Sequence, residues 1–272
     1  MCKNIILDLL HLRFNNLCKL LMSNKLTAFN LIFFSFQKVI SDYKIFFKIA
    51  FVPFLLALIS YIFIGYIGLF KSNTLNPNVN FKNFALYLIL YNIFLTPLFA
   101  AFAANWHRYI IFNGKKPWVF KNIDFSNSTF RFIIAGFLIF IILFAPYSLV
   151  IFFSIFLAKI FSSAAALIIF QWTFLIIFIF FTAKLILIFP AAAAGHNFSI
   201  KRTYSLSKSF FWKIFIGGLF FLIVSFSVYK ILSYFEALIN PFLYLITYLI
   251  ITFISVAVFA TWLSKIYKEA TA

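Results

Sequence analysis

Acidic side chains are scarce in this chain, because only five of its 272 residues are Asp or Glu. They are widely spaced, at Asp8, Asp42, Asp124, Glu236 and Glu269. Enzymes that use paired carboxylates, or that hold a metal ion with acids, need a concentration of these groups that the sequence does not offer. No acid or histidine falls within a long apolar segment, where proton-coupled transporters usually need one. The composition therefore argues against both kinds of chemistry.

Cysteine is equally rare, since Cys2 and Cys18 are the two in the chain. Their position near the N-terminus indicates neither a disulfide framework nor a metal site. His107 and His196 each follow an apolar segment and could converge, but no third ligand accompanies them. The chain contains no G-x-S-x-G, Walker A or H-E-x-x-H motif. We therefore predict a protein that is not an enzyme and that binds no metal or other cofactor.

Hydrophobic residues make up 65% of the chain and aromatic residues 23%, with only 10% charged. Soluble domains average about 45–50% apolar and about 25% charged residues. A soluble core could not bury this much apolar surface, so the composition predicts an integral membrane protein.

Six apolar segments are long enough to cross the hydrocarbon core, which takes about 20 helical residues. The predicted fold is therefore an all-α, polytopic transmembrane bundle of six spans within a membrane domain at residues 50–264. Residues 265–272 form a predicted cytoplasmic tail. The predicted spans are residues 50–70, 83–105, 131–156, 162–189, 212–233 and 241–263.

The 23 Lys and Arg residues divide unequally between the two sides of these spans. Eighteen lie in residues 1–49, 106–131, 195–213 and the tail, whereas four lie in the opposite loops. Positive flanks face the cytoplasm, so both termini are predicted to be cytoplasmic. The net charge of +18 is spread over four flanks and forms no single stripe, so we expect no nucleic-acid binding. Anionic lipid head groups are the expected partners of these basic loops.

The first 49 residues contain no predicted span. Residues 1–27 read as a tail, and Met22 offers a second translation start, which makes residues 1–21 a candidate over-extension. Residues 28–49 place apolar side chains at 29, 32, 33, 36, 39, 40 and 43, with polar residues between them. This near-helical spacing predicts an amphipathic helix in the cytoplasmic membrane interface.

The end of the fourth span combines a lysine, a proline and a basic segment. Pro190 is expected to end the span, because proline lacks the amide that the helical ladder needs. Lys184 lies six residues earlier and can extend to the head groups, or it can face inward and bind an anionic lipid or substrate. Ser199 is expected to cap a short helix that runs to about Lys208.

Two stretches carry a family resemblance. "AKLILIFPAAAAG" followed by "FSIKRTYSLSKSFFWKIFIGG" resembles the region in bacterial six-span proteins where an apolar helix ending in proline leads to a Ser-Arg-Ser segment and a tryptophan. These proteins include the YciC-like family and the membrane domain of some glycerophosphodiester phosphodiesterases. "NWHRYIIFNGKKP" is similar to a Trp-His-Arg turn in such chains. The resemblance implies a six-span fold in the bacterial inner membrane and no activity, since no phosphodiesterase domain is present.

Two hypotheses about function follow. In the first, the protein is a non-enzymatic envelope component that binds anionic lipid, a membrane protein partner or a second copy of itself through its basic loops. In the second, it is a small transporter or permease subunit with a cavity near Pro97, Pro146 and Lys184. Trp106 and His107 are expected to anchor the second span at the interface beside Arg108. The candidate contacts for lipid or another anion are Arg108, Lys184, Lys201 and Arg202.

Overall fold

The computed structural model describes residues 28–68, 81–114, 129–139, 141–142, 156, 164–196, 199–236 and 240–272. Within these ranges the chain is helical apart from short turns, and it contains no strand. The predicted all-α class is confirmed for this part of the chain. The N-terminal tail, both cysteines, Asp124 and Pro146 lie outside the described residues.

Eight helices are present among the described residues, and we number them in chain order. Two are short, one of them a six-residue helix directly before the basic segment. The helices are α1 (Ala28–Ser41), α2 (Tyr43–Gly68), α3 (Phe81–Ile111), α4 (Thr129–Ile139), α5 (Ala164–Leu185), α6 (Ile188–Ala193), α7 (Ile200–Glu236) and α8 (Pro241–Thr271).

Four segments in the described part of the chain are long and apolar enough to cross a membrane. A membrane protein is therefore plausible, as the composition predicts. The number six stays a prediction, because much of the third predicted span and many side chains of the second lie outside the described residues. The four segments are Tyr43–Phe63, Leu175–Ala193, Ile200–Tyr234 and Phe242–Thr271.

Helix α8 lies at the centre of the bundle and packs against α1, α2, α3, α6 and α7. Its Phe253 is fully buried against Phe102 of α3, with 4.8 Å between the ring centroids. Phe46 of α2 contacts the same Phe102 edge to face. Helix α5 packs mainly on α7, on the outside of this core. Large apolar rings from neighbouring helices thus fill the centre of the fold.

Helix α1 covers the first part of the segment predicted to be an amphipathic helix. Its buried side chains lie at positions 28, 31, 32, 35 and 39, and they pack against α7 and α8. Phe29 and Ile40, two of the apolar positions in the predicted pattern, are 63% and 67% exposed. Both sides of this helix are apolar, so the sequence pattern could not choose between them. A location in the membrane interface stays a prediction.

The predicted single helix over residues 28–49 is wrong, because a turn at Asp42 divides it. The Asp42 amide still donates to Lys38 O at 3.0 Å, but its carbonyl accepts from the amides of Ile45 and Phe46, both at 2.9 Å. Helix α2 therefore begins at Tyr43, inside the segment assigned to the interface.

Pro190 does not end the fourth span, which corrects a second expectation. Helix α5 stops at Leu185, and the chain resumes as α6 with Pro190 inside it. A proline ring excludes the carbonyl four residues earlier from helical bonding. The carbonyl of Ile186 accordingly bonds to the amide of Phe189 at 3.2 Å in a tighter turn. The proline therefore breaks the helix upstream of itself and leaves its own segment helical.

The basic segment after α6 is also not a separate helix. Ser199 caps it, because its hydroxyl accepts the Arg202 amide at 3.1 Å. The helix then continues past Lys208 without a break for 37 residues. The predicted short helix and the predicted fifth span are therefore one element, α7.

Close approach of α7 to α8 depends on Gly217. A Cβ atom at this position would lie 2.2 Å from Cζ2 of Trp262, which is fully buried. Trp262 also contacts Phe221 and Phe259, with ring centroids 5.3 and 5.4 Å away. Its indole N–H has no hydrogen-bond partner among the described residues, so packing holds the ring in place. Only glycine lets the α7 backbone approach this ring.

We expect Gly217→Ala to lower the melting temperature of the detergent-solubilised protein clearly, because the added methyl group must displace the Trp262 ring. Overpacking of this kind typically costs about 1–3 kcal/mol. The matched control is Gly218→Ala, whose Cβ would meet only Ile179 Cγ2 at 3.2 Å. That methyl group displaces one aliphatic side chain by a few tenths of an ångström, and helix propensity gains about 1 kcal/mol. Equal losses in the two variants would contradict this role of Gly217.

Candidate functional site

Four segments that the charge pattern assigns to the cytoplasm meet at one end of the bundle. We call this the polar end, and it consists of residues 38–42, 106–114, 195–196, 199–202 and 261–268. Arg131, at the start of α4, joins it as well. Hydrogen bonds between segments hold it together, and they include Lys268 Nζ to Asn113 Oδ1 at 2.8 Å, Arg131 Nη1 to Gly195 O at 2.9 Å, and His196 Nδ1 with Tyr267 Oη at 2.8 Å.

Two helices end at the polar end in left-handed turns. Gly195 follows α6 with φ of 78°, the amide of Gly195 donates to Ala192 O, and that of His196 donates to Ala191 O. These two bonds form a Schellman motif, in which glycine avoids the steric cost of positive φ. Asn113 adopts the corresponding left-handed conformation after α3, with φ of 51°. Both turns place a polar side chain against α8.

The turn at Asp42 connects α1 to the end of α3. Lys38 Nζ lies 2.7 Å from Asp42 Oδ2, and the Tyr109 hydroxyl donates a hydrogen bond to the same oxygen. Lys38 Nζ also lies 5.8 Å from the centroid of the Tyr109 ring. Burial and the Asp42 carboxylate both raise the pKa of Tyr109, so the phenol stays protonated and remains the donor. This cluster fixes the angle at which α1 leaves α2.

Trp106 and His107 lie inside the bundle, so the predicted interface anchor is wrong for both. Trp106 is fully buried and donates from Nε1 to Thr261 Oγ1 at 2.8 Å. His107 is 2% exposed, with Nδ1 2.7 Å from Ser264 Oγ. Thr261 and Ser264 lie three residues apart on one face of α8, which explains why consecutive residues of α3 reach them. These pairs dock α3 onto α8.

The two histidines approach the same helix but do not form one site. His107 binds Ser264, whereas His196 binds Tyr267, one turn further along α8. Burial lowers the pKa of His107 from 6.5 to about 3, so its imidazole is neutral and can accept from the serine hydroxyl. In the part of the chain that the structure describes, no group of three or more His, Cys, Asp and Glu residues could hold a metal ion.

Lys184 lies in a box of aromatic rings between α5 and α7. Its Nζ is 4.7 Å from the centroid of Phe180, and the rings of Phe181, Tyr204 and Phe211 are within 6.0 Å. Each ring face attracts a cation. The carbonyl of Lys184 accepts a hydrogen bond from Ser207 Oγ at 2.7 Å, which ties the same two helices together. The ammonium group therefore contributes to packing.

The remaining candidate contacts occupy two helices. Lys201 and Arg202 are exposed in the first turn of α7, and Arg202 acts electrostatically on Tyr267 of α8. Tyr204, one turn on, reaches the Lys184 box, so these three candidates share one side of the polar end. Arg108 is half-buried in the last turn of α3.

Three lysines that the sequence did not single out converge at the polar end. Lys38 and Lys265 lie close enough to Lys268 to repel its ammonium group. Lys265 Nζ lies 5.6 Å from the centroid of the Phe34 ring on α1. The spacing of Lys38 and Asp42 predicts an ion pair on one helix. The approach of Lys38 to Lys268 has no local signal, because it follows from the packing of α1 against α8.

An apolar groove of about 810 Å³ runs along α7 and α8. Phe36 of α1 also lines it, at the end that faces the polar end. Neither Pro97 nor Lys184 lines this groove, so it is not the cavity that the transporter hypothesis places near them. Pro146, the third residue of that hypothesis, lies outside the described residues. The lining residues include Phe36, Phe221, Ser225, Tyr229, Ser255 and Val258.

We expect the folded protein to lose stability as the pH falls below about 6.5, because His107 is buried as a neutral group. The unfolded chain binds a proton near pH 6.5, whereas the folded one does so only near pH 3. The unfolded state therefore binds more protons in this window, and stability rises with pH across it. The change from pH 7.5 to pH 5 amounts to about 2 kcal/mol.

Melting temperatures across this pH range, measured in detergent micelles, check this expectation. His107→Gln should flatten the dependence, because glutamine can bond to Ser264 but does not titrate. His196→Gln is the matched control, since His196 is exposed and its loss should leave the dependence unchanged. A pH dependence that survives in His107→Gln would assign it to another group.

We expect Lys184→Met to lower the melting temperature, because methionine keeps the length of the side chain but removes its charge from the ring faces. A desolvated cation–π contact contributes up to about 2 kcal/mol. Lys213→Met is the control, since Lys213 has the Phe210 ring 5.1 Å away rather than a box of four. A larger loss in the Lys213 variant would argue against a packing role for Lys184.

Comparison with known proteins supplies no relative for this arrangement. No family model matches the chain, no curated protein matches it, and no solved structure matches it. The site is therefore interpreted from its own geometry.

Proposed function

We propose that this protein is a non-enzymatic integral membrane protein that binds anionic lipid head groups through the basic segments of its polar end. The observation that carries the proposal is the convergence of these segments at one end of the bundle. In our proposal that end faces the cytoplasm of a bacterium, in the inner membrane, with both termini on the same side. The family resemblance to YciC-like proteins would agree with this location, and it stays a prediction.

The length of α7 supports this placement of its charges. Its 37 residues span about 55 Å at 1.5 Å per residue. The hydrocarbon core is only about 30 Å thick. The helix therefore has length to spare beyond the core, and Lys201 and Arg202 occupy its first turn, where phosphate groups would be within reach.

The charge balance of the polar end favours an anionic partner. Asp42 interacts with both Lys38 and Tyr109, so the ammonium groups of Lys265 and Lys268 do not share that carboxylate. Arg202 and Lys201 add exposed positive charge nearby. Each basic residue near an anionic membrane surface contributes about 1 kcal/mol to binding. Lipid is the partner in this proposal, and an acidic membrane protein or a second copy of the chain would compete for the same charges.

The transporter hypothesis gains less from the structure. In that hypothesis Lys184 was the candidate residue for binding an anionic substrate. Four aromatic rings already surround its ammonium group. Pro97 is half-buried within the continuous helix α3. We therefore keep the lipid-binding proposal.

Combined replacement of Arg108, Lys201 and Arg202 by glutamine should weaken binding of phosphatidylglycerol. At about 1 kcal/mol per charge, three charges correspond to roughly 100-fold in affinity. Lipid that co-purifies from membranes, extracted without detergent in native particles and quantified by mass spectrometry, is the measurement.

The matched control replaces Lys71, Lys82 and Lys230, three lysines that the charge pattern assigns to the opposite side. This variant loses the same net charge but should keep its bound phosphatidylglycerol. Unchanged lipid in the first variant, or equal losses in both, would contradict binding through the basic segments.

A further inference from the structure

The groove along α7 and α8 has the chemistry of a hydrocarbon site. Its lining is apolar except for Ser225, Ser255 and the hydroxyl of Tyr229. Both serines are exposed, and Phe226 and Tyr229 are 48% and 56% exposed, so the groove is open along its side. Ligand sites in proteins commonly have volumes of about 300–1,000 Å³, and the 810 Å³ of this groove falls in that range.

The length of the groove matches one leaflet of a bilayer. It runs along α7 from Gly218 to Tyr229 and along α8 from Phe259 back to Ile251. Eleven residues of α7 correspond to about 17 Å of helix, and half of the hydrocarbon core is about 15 Å. A single acyl chain that extends from the head-group level to the bilayer centre would therefore fill it.

Lys265 lies at the end of the groove nearest the polar end. Ile251 and Val258 line the groove, and Lys265 continues their seven-residue spacing along α8. Residues seven apart on a helix differ by only about 20° around the axis. Lys265 is thus on the groove face, about 9 Å beyond Phe259 along the axis. Its Nζ lies 5.6 Å from the centroid of the Phe34 ring on α1.

We propose that the groove binds one acyl chain of an anionic phospholipid whose phosphate is held by Lys265. The apolar walls match the chain, and the ammonium group at the mouth matches the phosphate charge. Lys268, one turn further along α8, is close enough for the two ammonium groups to repel each other, and it increases the positive potential beside Lys265. This inference rests on the proposed function, because it names the lipid site that the basic polar end serves.

The test uses the full chain in nanodiscs that contain equal amounts of phosphatidylglycerol and phosphatidylcholine. Native mass spectrometry after release from the nanodisc counts the lipids that each variant retains and identifies their head groups by mass. Wild-type protein should retain phosphatidylglycerol in preference to phosphatidylcholine. Loss of one charge near the surface corresponds to about 5-fold in affinity, so Lys265→Gln should lower this preference by about that factor.

Ser225→Trp tests the groove itself, because the indole would occupy the space of the acyl chain. We expect this variant to lose the retained lipid whichever head group it carries. Ser227→Trp is the matched control, since Ser227 is an exposed serine on the same helix that does not line the groove. Lys230→Gln is the control for charge, because Lys230 is exposed beside Tyr229 at the other end of the groove, with its Nζ 5.7 Å from the centroid of the Phe226 ring. Both controls should behave as wild type.

The outcomes separate this inference from the proposed function. If phosphatidylglycerol is lost on neutralising Arg108, Lys201 and Arg202 but persists in Ser225→Trp, the groove assignment is overturned and the proposed function stands. A dimer that only Ser225→Trp dissociates would assign the groove to a second copy of the chain and also overturn it. No preference for phosphatidylglycerol in the wild type would overturn both proposals.

Discussion

The buried hydroxyl groups of Thr261 and Ser264 in α8 need hydrogen-bond partners away from water, and the docking of α3 depends on that constraint. Thr261 and Ser264 are fully buried, and α3 supplies their partners, Trp106 and His107. An unsatisfied polar group in such a setting costs about 1–3 kcal/mol. These bonds therefore set the register of α3 against α8, which apolar contacts alone would leave free to slide.

The ends of the neighbouring helices also supply hydrogen-bond partners to the last turns of α8. Gly195 and Asn113 turn the chain sharply after α6 and α3, so that His196 and Asn113 reach Tyr267 and Lys268. The break before Pro190 separates α6 from α5. The turn at Asp42 separates α1 from α2. Helix α1 packs against α7 and α8, and its Phe34 ring lies close to Lys265 Nζ. These local turns thus place the helix ends at which the basic side chains lie.

Charge and apolar surface have separate places in this molecule. Among the described residues, several charged side chains lie at the polar end, where Lys38 and Lys265 are close to Lys268. The groove along α7 and α8 begins beside them and is almost wholly apolar. A phospholipid has the same division between an anionic head and a hydrocarbon chain. The proposals for function follow from this match, since no relative suggests one.

The sequence by itself determined the helical class and the membrane-like composition. Long apolar segments and the scarcity of acids are properties of the chain that no packing arrangement can alter. The cap at Ser199 was also predictable, because a serine before a helix acts through its nearest neighbours in sequence.

Tertiary structure decided which faces are buried and which charges meet. Helix α1 is apolar on both sides, so only its contact with α7 and α8 exposes Phe29 and Ile40. Tryptophan is suited both to the membrane interface and to a buried site with a hydrogen-bond acceptor, so the sequence alone suggested an interface anchor at Trp106. The hydroxyl of Thr261, 155 residues away, provides the acceptor that makes the buried site possible. Lys184 gained its four rings, and Lys265 its place at the groove, through contacts between helices. Such contacts depend on crossing angles that local spacing does not encode.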